Sequence, residues 1–200
     1  DEYLRGENDA LTDTQKRGAL LFFGSKAKCS TCHSGTLLTD QKHYNLAVPQ
    51  LGPGKDETGL DLGRFLVTGD AKDLFRFRTP PLRNVTATGP WMHNGAYSDL
   101  EDAVRHHLDS KRSLEDYAAG EQLIAPLRDE AELLMTVVSD DGVLHDLSRK
   151  REIPRIRLKD NEVADIMAFL EALTVPDLND RLNATAPLTV PSRLPIDDLP

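Results

Sequence analysis

The chemistry in this chain is most concentrated in five residues, Cys29-Ser30-Thr31-Cys32-His33. Two thiols separated by two residues and followed at once by an imidazole form C-x-x-C-H, the attachment pattern of a c-type haem. The spacing has a mechanical reason. One helical turn presents both sulfurs to one edge of a macrocycle, where they can add to its vinyl groups. The next residue then points at the iron as proximal ligand. Other uses of these residues fall short. A structural zinc site wants four ligands, and these are the only two cysteines in 200 residues. A thioredoxin-like redox pair belongs in a βαβ pattern, which the flanking sequence lacks. A disulfide between the two would leave His33 without a role.

Helices must hold such a group. Thr12 and Gln15 read as a capping box, opening a helix from Lys16 to Phe23 that stops at Gly24. Ala19, Leu20, Phe22 and Phe23 are expected to pack inward. Gly18 costs about 1 kcal/mol against alanine in a helix, so its presence implies close approach by another helix. Residues 34–70 hold many glycines and prolines and read as a long irregular excursion able to wrap one edge of a ligand. Ser98 and Glu101 form a second capping box, and its helix runs to about Leu108. Its apolar stripe is Leu100, Ala103, Val104, His107 and Leu108. The adjacent His106 and His107 are about 100° apart on a helix and cannot both face one iron. His107 lies on the stripe and is the expected distal ligand, while His106 falls with Asp102 on the solvent side.

A further helix is expected over residues 127–138, then a turn at Asp140-Asp141-Gly142. Asp160 reads as the cap of a helix from Asn161 to Leu173, with Val163, Ile166, Met167 and Leu170 on one face. Prolines 176, 187, 191, 195 and 200 then forbid regular structure. The expected fold is all-α. A class I cytochrome c-like domain over residues 1–174, with long irregular loops, is followed by an extended Pro-rich tail over residues 175–200. The first and last helices of the domain should cross beside the haem.

Composition agrees with an ordinary soluble domain, at 39% hydrophobic and 28% charged residues. Residues 1–100 hold 12 acids and 12 bases, and the remainder hold 21 and 12, so the net charge of −9 lies wholly in the second half. This argues against nucleic acid or anionic lipid as partners. Arg149, Lys150, Arg151, Arg155, Arg157 and Lys159 form a local basic run, expected to be a solvated loop or else a docking patch. No stretch approaches the roughly 18 to 20 apolar residues of a membrane span. The chain opens Asp1-Glu2-Tyr3, without the features of a signal peptide. Covalent haem attachment takes place outside the bacterial cytoplasm, so a periplasmic or otherwise extracytoplasmic product that has lost a leader is expected.

Three ordered motifs make the sequence specific. They are Arg78-Thr79-Pro80-Pro81-Leu82-Arg83-Asn84-Val85, Gly89-Pro90-Trp91-Met92-His93-Asn94-Gly95 and Leu100-Glu101-Asp102-Ala103-Val104-Arg105-His106-His107. Together they resemble the bacterial di-haem cytochrome c peroxidase and MauG family, and this chain looks like its C-terminal haem domain. That resemblance implies one covalent haem c here and a second haem domain or chain elsewhere. The second haem would be the one that reacts with peroxide. The distal-ligand position, methionine in the peroxidases and tyrosine in MauG-like members, falls on His107, with Met92 as the alternative. His93 would hydrogen-bond at the inter-domain face. Backbone carbonyls of Thr88 and Pro90 would hold a calcium ion, completed by the missing half. Arg78 and Arg83 could steady haem propionates through bidentate contacts. The implied role is electron relay from a small soluble donor, a cytochrome c or cupredoxin, within a peroxide-reducing enzyme. A MauG-like oxidase acting on a partner protein is the alternative, as is a stand-alone mono-haem carrier or subunit of a larger redox complex.

Overall fold

A computed structural model describes residues 1–52, 59–131 and 141–185, and the described part is mostly helical. The first long helix, α1, spans Asp13–Phe23. Its capping box is present: the Gln15 N–H donates to Thr12 Oγ1 at 3.3 Å, and the Thr12 N–H donates to Gln15 Oε1 at 2.9 Å. A short helix α2, Phe65–Thr68, ends at Gly69 in the left-handed region. Next comes α3, Leu100–Leu108. Its cap is Asp99, whose Oδ1 accepts from the Glu101 N–H at 2.7 Å, not Ser98 as expected. The carboxylate offers a stronger acceptor than the neighbouring hydroxyl to the exposed N–H groups of the first turn.

Among the described residues there follow α4 Ser110–Glu115, α5 Ala119–Gln122, α6 Ala125–Arg128 and α7 Asp141–Arg149. Most of the helix expected over 127–138 lies outside the described residues. Asp141 and Gly142 open α7 where a turn was expected. The last two are α8, Asp160–Glu171, and α9, Leu178–Thr185. Thus the stretch expected to be extended from residue 175 holds a helix, and prolines 187, 191, 195 and 200 lie outside the described residues. Two-residue strands β1, His43–Tyr44, and β2, Phe77–Arg78, pair antiparallel with His43 opposite Arg78. They tie the excursion after the haem motif to the start of the Arg78–Val85 motif.

The first and last helices of the domain do cross. At the crossing, a Cβ on Gly18 would stand 1.9 Å from the Asp165 carbonyl oxygen and 2.8 Å from the Phe169 Cβ. Only hydrogen fits there. Arg17 grips Asp165 beside the contact through Nε at 3.0 Å and Nη2 at 2.8 Å. Phe22 packs on Phe169 with ring centres 5.2 Å apart. The expectation for α1 needs correcting here: Phe22 is buried, but Leu20 and Phe23 are 75% and 54% exposed. The Gly18–Phe22 edge, one helical turn apart, is what faces α8 and turns Leu20 away, while Phe23 sits at the rim with its ring edge-on to Phe169, centres 5.8 Å apart.

Three apolar clusters fill the interior. The first joins Phe22, Ala27, Leu38, Val85, Leu100, Ile166, Phe169 and Leu170, with Cys29 against it. The second surrounds Tyr97, Ala103, Tyr117 and Leu123. The third holds Ala47, Phe75, Leu114 and Leu147. Asn84 links the Arg78–Val85 motif to the end of α8: its N–H donates to the Leu173 carbonyl at 3.0 Å, and its Oδ1 accepts from the Val175 N–H at 3.0 Å. Among the described residues, no helix is long and apolar enough to cross a membrane.

The crossing yields a stability test. Gly18→Ala must push α1 and α8 apart and should cost about 2 kcal/mol or more. Gly120→Ala meets nothing within 4 Å and should stay within about 1 kcal/mol of neutral. Urea unfolding of both variants reads the difference, and equal midpoints would contradict a backbone-tight crossing.

Candidate haem site

The haem motif folds as a single 3-10 turn, Cys29–Thr31, preceded by Lys28 in the left-handed region at φ 58°. The His33 N–H closes the turn on the Cys29 carbonyl at 2.9 Å, and the Asp40 N–H ties down the Cys32 carbonyl at 2.8 Å. Both cysteines are free thiols and half-buried. Burial pushes the Cys29 thiol up to about 11 and raises Cys32 as well. Neither is poised as a reactive thiolate. Neutral, partly buried sulfurs suit a covalent tether better than redox exchange.

His33 and His107 face one another, with ring centres 6.3 Å apart and planes at 58°. Each donates from Nδ1 to a backbone carbonyl, His33 to Leu38 at 3.2 Å and His107 to Ala103 at 2.7 Å. That assignment follows from the acceptors, since a carbonyl cannot donate. Each Nε2 is therefore the unprotonated nitrogen, the form that binds a metal. A metal–imidazole bond is about 2 Å long, and two such bonds with the ring radii separate facing ring centres by about 6 Å. The observed separation thus fits an iron held between the two rings. Burial, and secondarily the nearby His107, brings His33 down to about 4, and burial lowers His107 too. Both stay neutral and available as ligands at neutral pH.

The other candidates fall in varied places. His106 is not on the solvent side; it is fully buried. Its Nε2 donates to the Leu46 carbonyl at 2.8 Å, and its Nδ1 accepts from the Tyr97 hydroxyl at 2.9 Å. These partners come from distant segments, which the helical stripe could not reveal. Met92 packs against the Tyr97 cluster, with φ at 69°. His93 stacks on Phe77 with ring centres 3.4 Å apart. Arg83 directs Nη1 and Nη2 to the Asp1 carboxylate and Nε to the Thr36 carbonyl. Arg78 is exposed and bonds to Gln41. The Thr88 hydroxyl donates to the Val85 carbonyl at 3.1 Å, and Thr88 and Pro90 are exposed. Among the described residues, no three His, Cys, Asp or Glu side chains come together as an autonomous metal site. Tyr97 is the residue that the sequence pattern missed. No periodicity marks it, because it lies before the helix it supports.

Arg149 and Lys150 approach Asp146, Arg155 pairs with Asp109 at 2.7 Å, and Arg151 bonds to the Ser148 carbonyl. Much of the basic run is thus internally paired.

Comparison with known proteins points the same way. Cytochrome c peroxidase Ccp of Escherichia coli (strain K12) is 34% identical over 143 residues, taking in 72% of this chain and 28% of that protein. Cytochrome-c peroxidase IdrP1 of Pseudomonas sp. (strain SCT) is 28% identical over 200 residues, covering 88% of this chain and 44% of that protein. The crystal structure of a MauG-like protein associated with microbial copper homeostasis matches with a TM-score of 0.60 at 28% identity, over 84% of this chain and 49% of that one. No family model matches. The chain spans less than half the length of these relatives.

The buried imidazoles set a pH dependence. The folded values of His33 and His106, about 4 and about 3, lie below the ordinary value of about 6.5. On acidification the unfolded chain takes up protons first, so the stability present above about pH 6.5 is lost as pH falls through those values. The urea midpoint of haem-free protein should therefore drop between about pH 6.5 and pH 4. A flat profile would contradict burial of neutral imidazoles.

Proposed function

We propose that this chain, which belongs to the di-haem cytochrome c peroxidase and MauG family, is that family's electron-relay haem domain. Cys29 and Cys32 tether one haem c, His33 is the proximal ligand and His107 the distal ligand. The facing pair of imidazoles, 6.3 Å apart with both Nδ1 atoms committed to carbonyls, carries this reading. The bound haem supplies a one-electron couple.

The chain's own residues set its character. His33 and His107 would each give an imidazole nitrogen to the iron, which would leave no site open to peroxide and make relay the role. Two imidazoles favour the ferric state more than imidazole with thioether, so a low potential follows. Phe22, Leu38 and Val85, in the cluster that packs on Cys29, exclude water from that edge of the site. Arg78 is the better placed of the two arginines to reach a propionate, because Arg83 is engaged by Asp1 and Thr36. Carbonyls of Thr88 and Pro90 would serve a calcium ion only together with ligands from a second half.

Peroxide reduction would then belong to a second haem domain or chain, with a small soluble cytochrome c or cupredoxin as donor. Thioether attachment places the protein outside the cytoplasm, in the periplasm or an equivalent compartment. The likeness to a MauG-like protein supports a second reading, in which the same relay serves oxidation of a partner protein. The single C-x-x-C-H leaves a third, a stand-alone carrier or a subunit of a larger redox complex.

Purified protein should carry one haem per 22.2 kDa chain and show a low-spin ferric spectrum without the near-infrared band of methionine ligation. His107→Ala should convert it to high-spin. An unchanged spectrum in that variant would remove His107 as ligand and return attention to Met92.

A further inference from the structure

Two histidines stand side by side near the end of α3, and only one faces His33. Something must set the rotation of the helix, because adjacent positions differ by about 100°. The other histidine, His106, is fully buried beside Tyr97, which is equally buried. The proton positions in this pair follow from the partners. The Leu46 carbonyl can only accept, so His106 Nε2 carries the hydrogen, and Nδ1 is left as an acceptor for the Tyr97 hydroxyl. The Tyr97 oxygen in turn accepts from Ser113 Oγ, 3.0 Å away on α4.

This chain of bonds joins four segments. Leu46 belongs to the loop that follows the haem motif, Tyr97 to the lead-in of α3, His106 to α3 and Ser113 to α4. The loop end is itself held: Asn45 Oδ1 accepts from the Ala47 N–H at 2.8 Å, and Ala47 takes a left-handed φ of 53° with no exposure. The Asn45 N–H donates to Glu152 at 2.8 Å. Tyr97 is fixed at its backbone, where its carbonyl accepts from the Trp91 N–H at 2.8 Å. Its ring meets Tyr117 edge-on at 5.5 Å. Both nitrogens of His106 are saturated, so it has no lone pair left for a metal.

We propose that the Tyr97–His106 pair is a positioning device that locks the rotation of α3, so that His107 and not its neighbour meets His33. The proposal rests on the ligand reading above and adds the residues that decide between tandem histidines. Tyr97 and His106 act through His107 and touch no iron. Without the pair, α3 loses its link to the loop carrying Leu46, and His107 spends more time off the metal.

The test is carbon monoxide binding to the reduced, haem-loaded protein, since its rate reports how often the distal ligand is off the iron. Tyr97→Phe removes one oxygen and keeps the packing. The rate should rise about tenfold, the ratio expected for losing one buried hydrogen bond worth about 1.4 kcal/mol. His106→Phe should rise further and show a high-spin ferric fraction at neutral pH. His106→Gln can still donate to Leu46 and accept from Tyr97, so its rate should stay near that of the parent. His107→Ala sets the open-site limit. If His107→Ala binds no faster than the parent, the ligand reading itself is wrong. If His107→Ala is fast while Tyr97→Phe and His106→Phe match the parent, the ligand reading stands and the positioning role is overturned. Should His106→Phe fail to accumulate, Tyr97→Phe decides alone.

Discussion

The structure depends on two imidazoles that must stay neutral, face each other and keep the correct nitrogen free. A histidine offers a metal the nitrogen it does not protonate, so control of the ligand is control of the opposite hydrogen bond. Here each Nδ1 is fixed by a backbone carbonyl, Leu38 for His33 and Ala103 for His107. One acceptor lies in the loop just after the haem motif and the other lies within the ligand's own helix. Backbone acceptors cannot rotate away or change charge. Burial adds to this by disfavouring the imidazolium, so geometry and electrostatics act in the same direction.

The scaffold delivers these two rings from distant parts of the chain. His33 follows α1 through the haem turn, and α1 is set by its crossing with α8 at Gly18. The Arg17–Asp165 pair beside the crossing is partly exposed on the arginine side. Such a pair contributes orientation more than net stability, and the apolar contact of Phe22 with Phe169 is the larger source of cohesion. His107 arrives on α3, which shares the first cluster with α8 through Leu100 and the second cluster through Ala103. The helix that carries His107 thus joins two separately packed cores.

The acidic second half of the chain distributes its charge locally rather than as one field. Arg105 engages Glu101 and Asp160, Arg155 engages Asp109, and Arg112 engages Asp116. Exposed pairs of this kind contribute little to stability each.

Much of this was legible from residues alone, for a physical reason. The haem motif, the Thr12–Gln15 cap and the glycine at the crossing are local codes: spacing, capping chemistry and the absence of a Cβ act within a few residues. The apolar stripe of α3 also singled out His107, the imidazole that stands 6.3 Å from His33. What the stripe could not show was His106. A periodic pattern scores a polar side chain as facing solvent, whereas burial needs only that both nitrogens find partners. Those partners, Leu46 and Tyr97, lie 60 and 9 residues away. Only the tertiary structure brings them to one point, just as only it buries Phe22 while leaving Phe23 half-exposed at the rim of the crossing and turns Arg83 to Asp1. Sequence by itself determined which chemistry the chain carries, because that chemistry is written in adjacent residues. Tertiary structure decided which of two neighbouring imidazoles is enclosed and which faces His33, because the hydrogen bonds that hold His106 close only when remote segments pack.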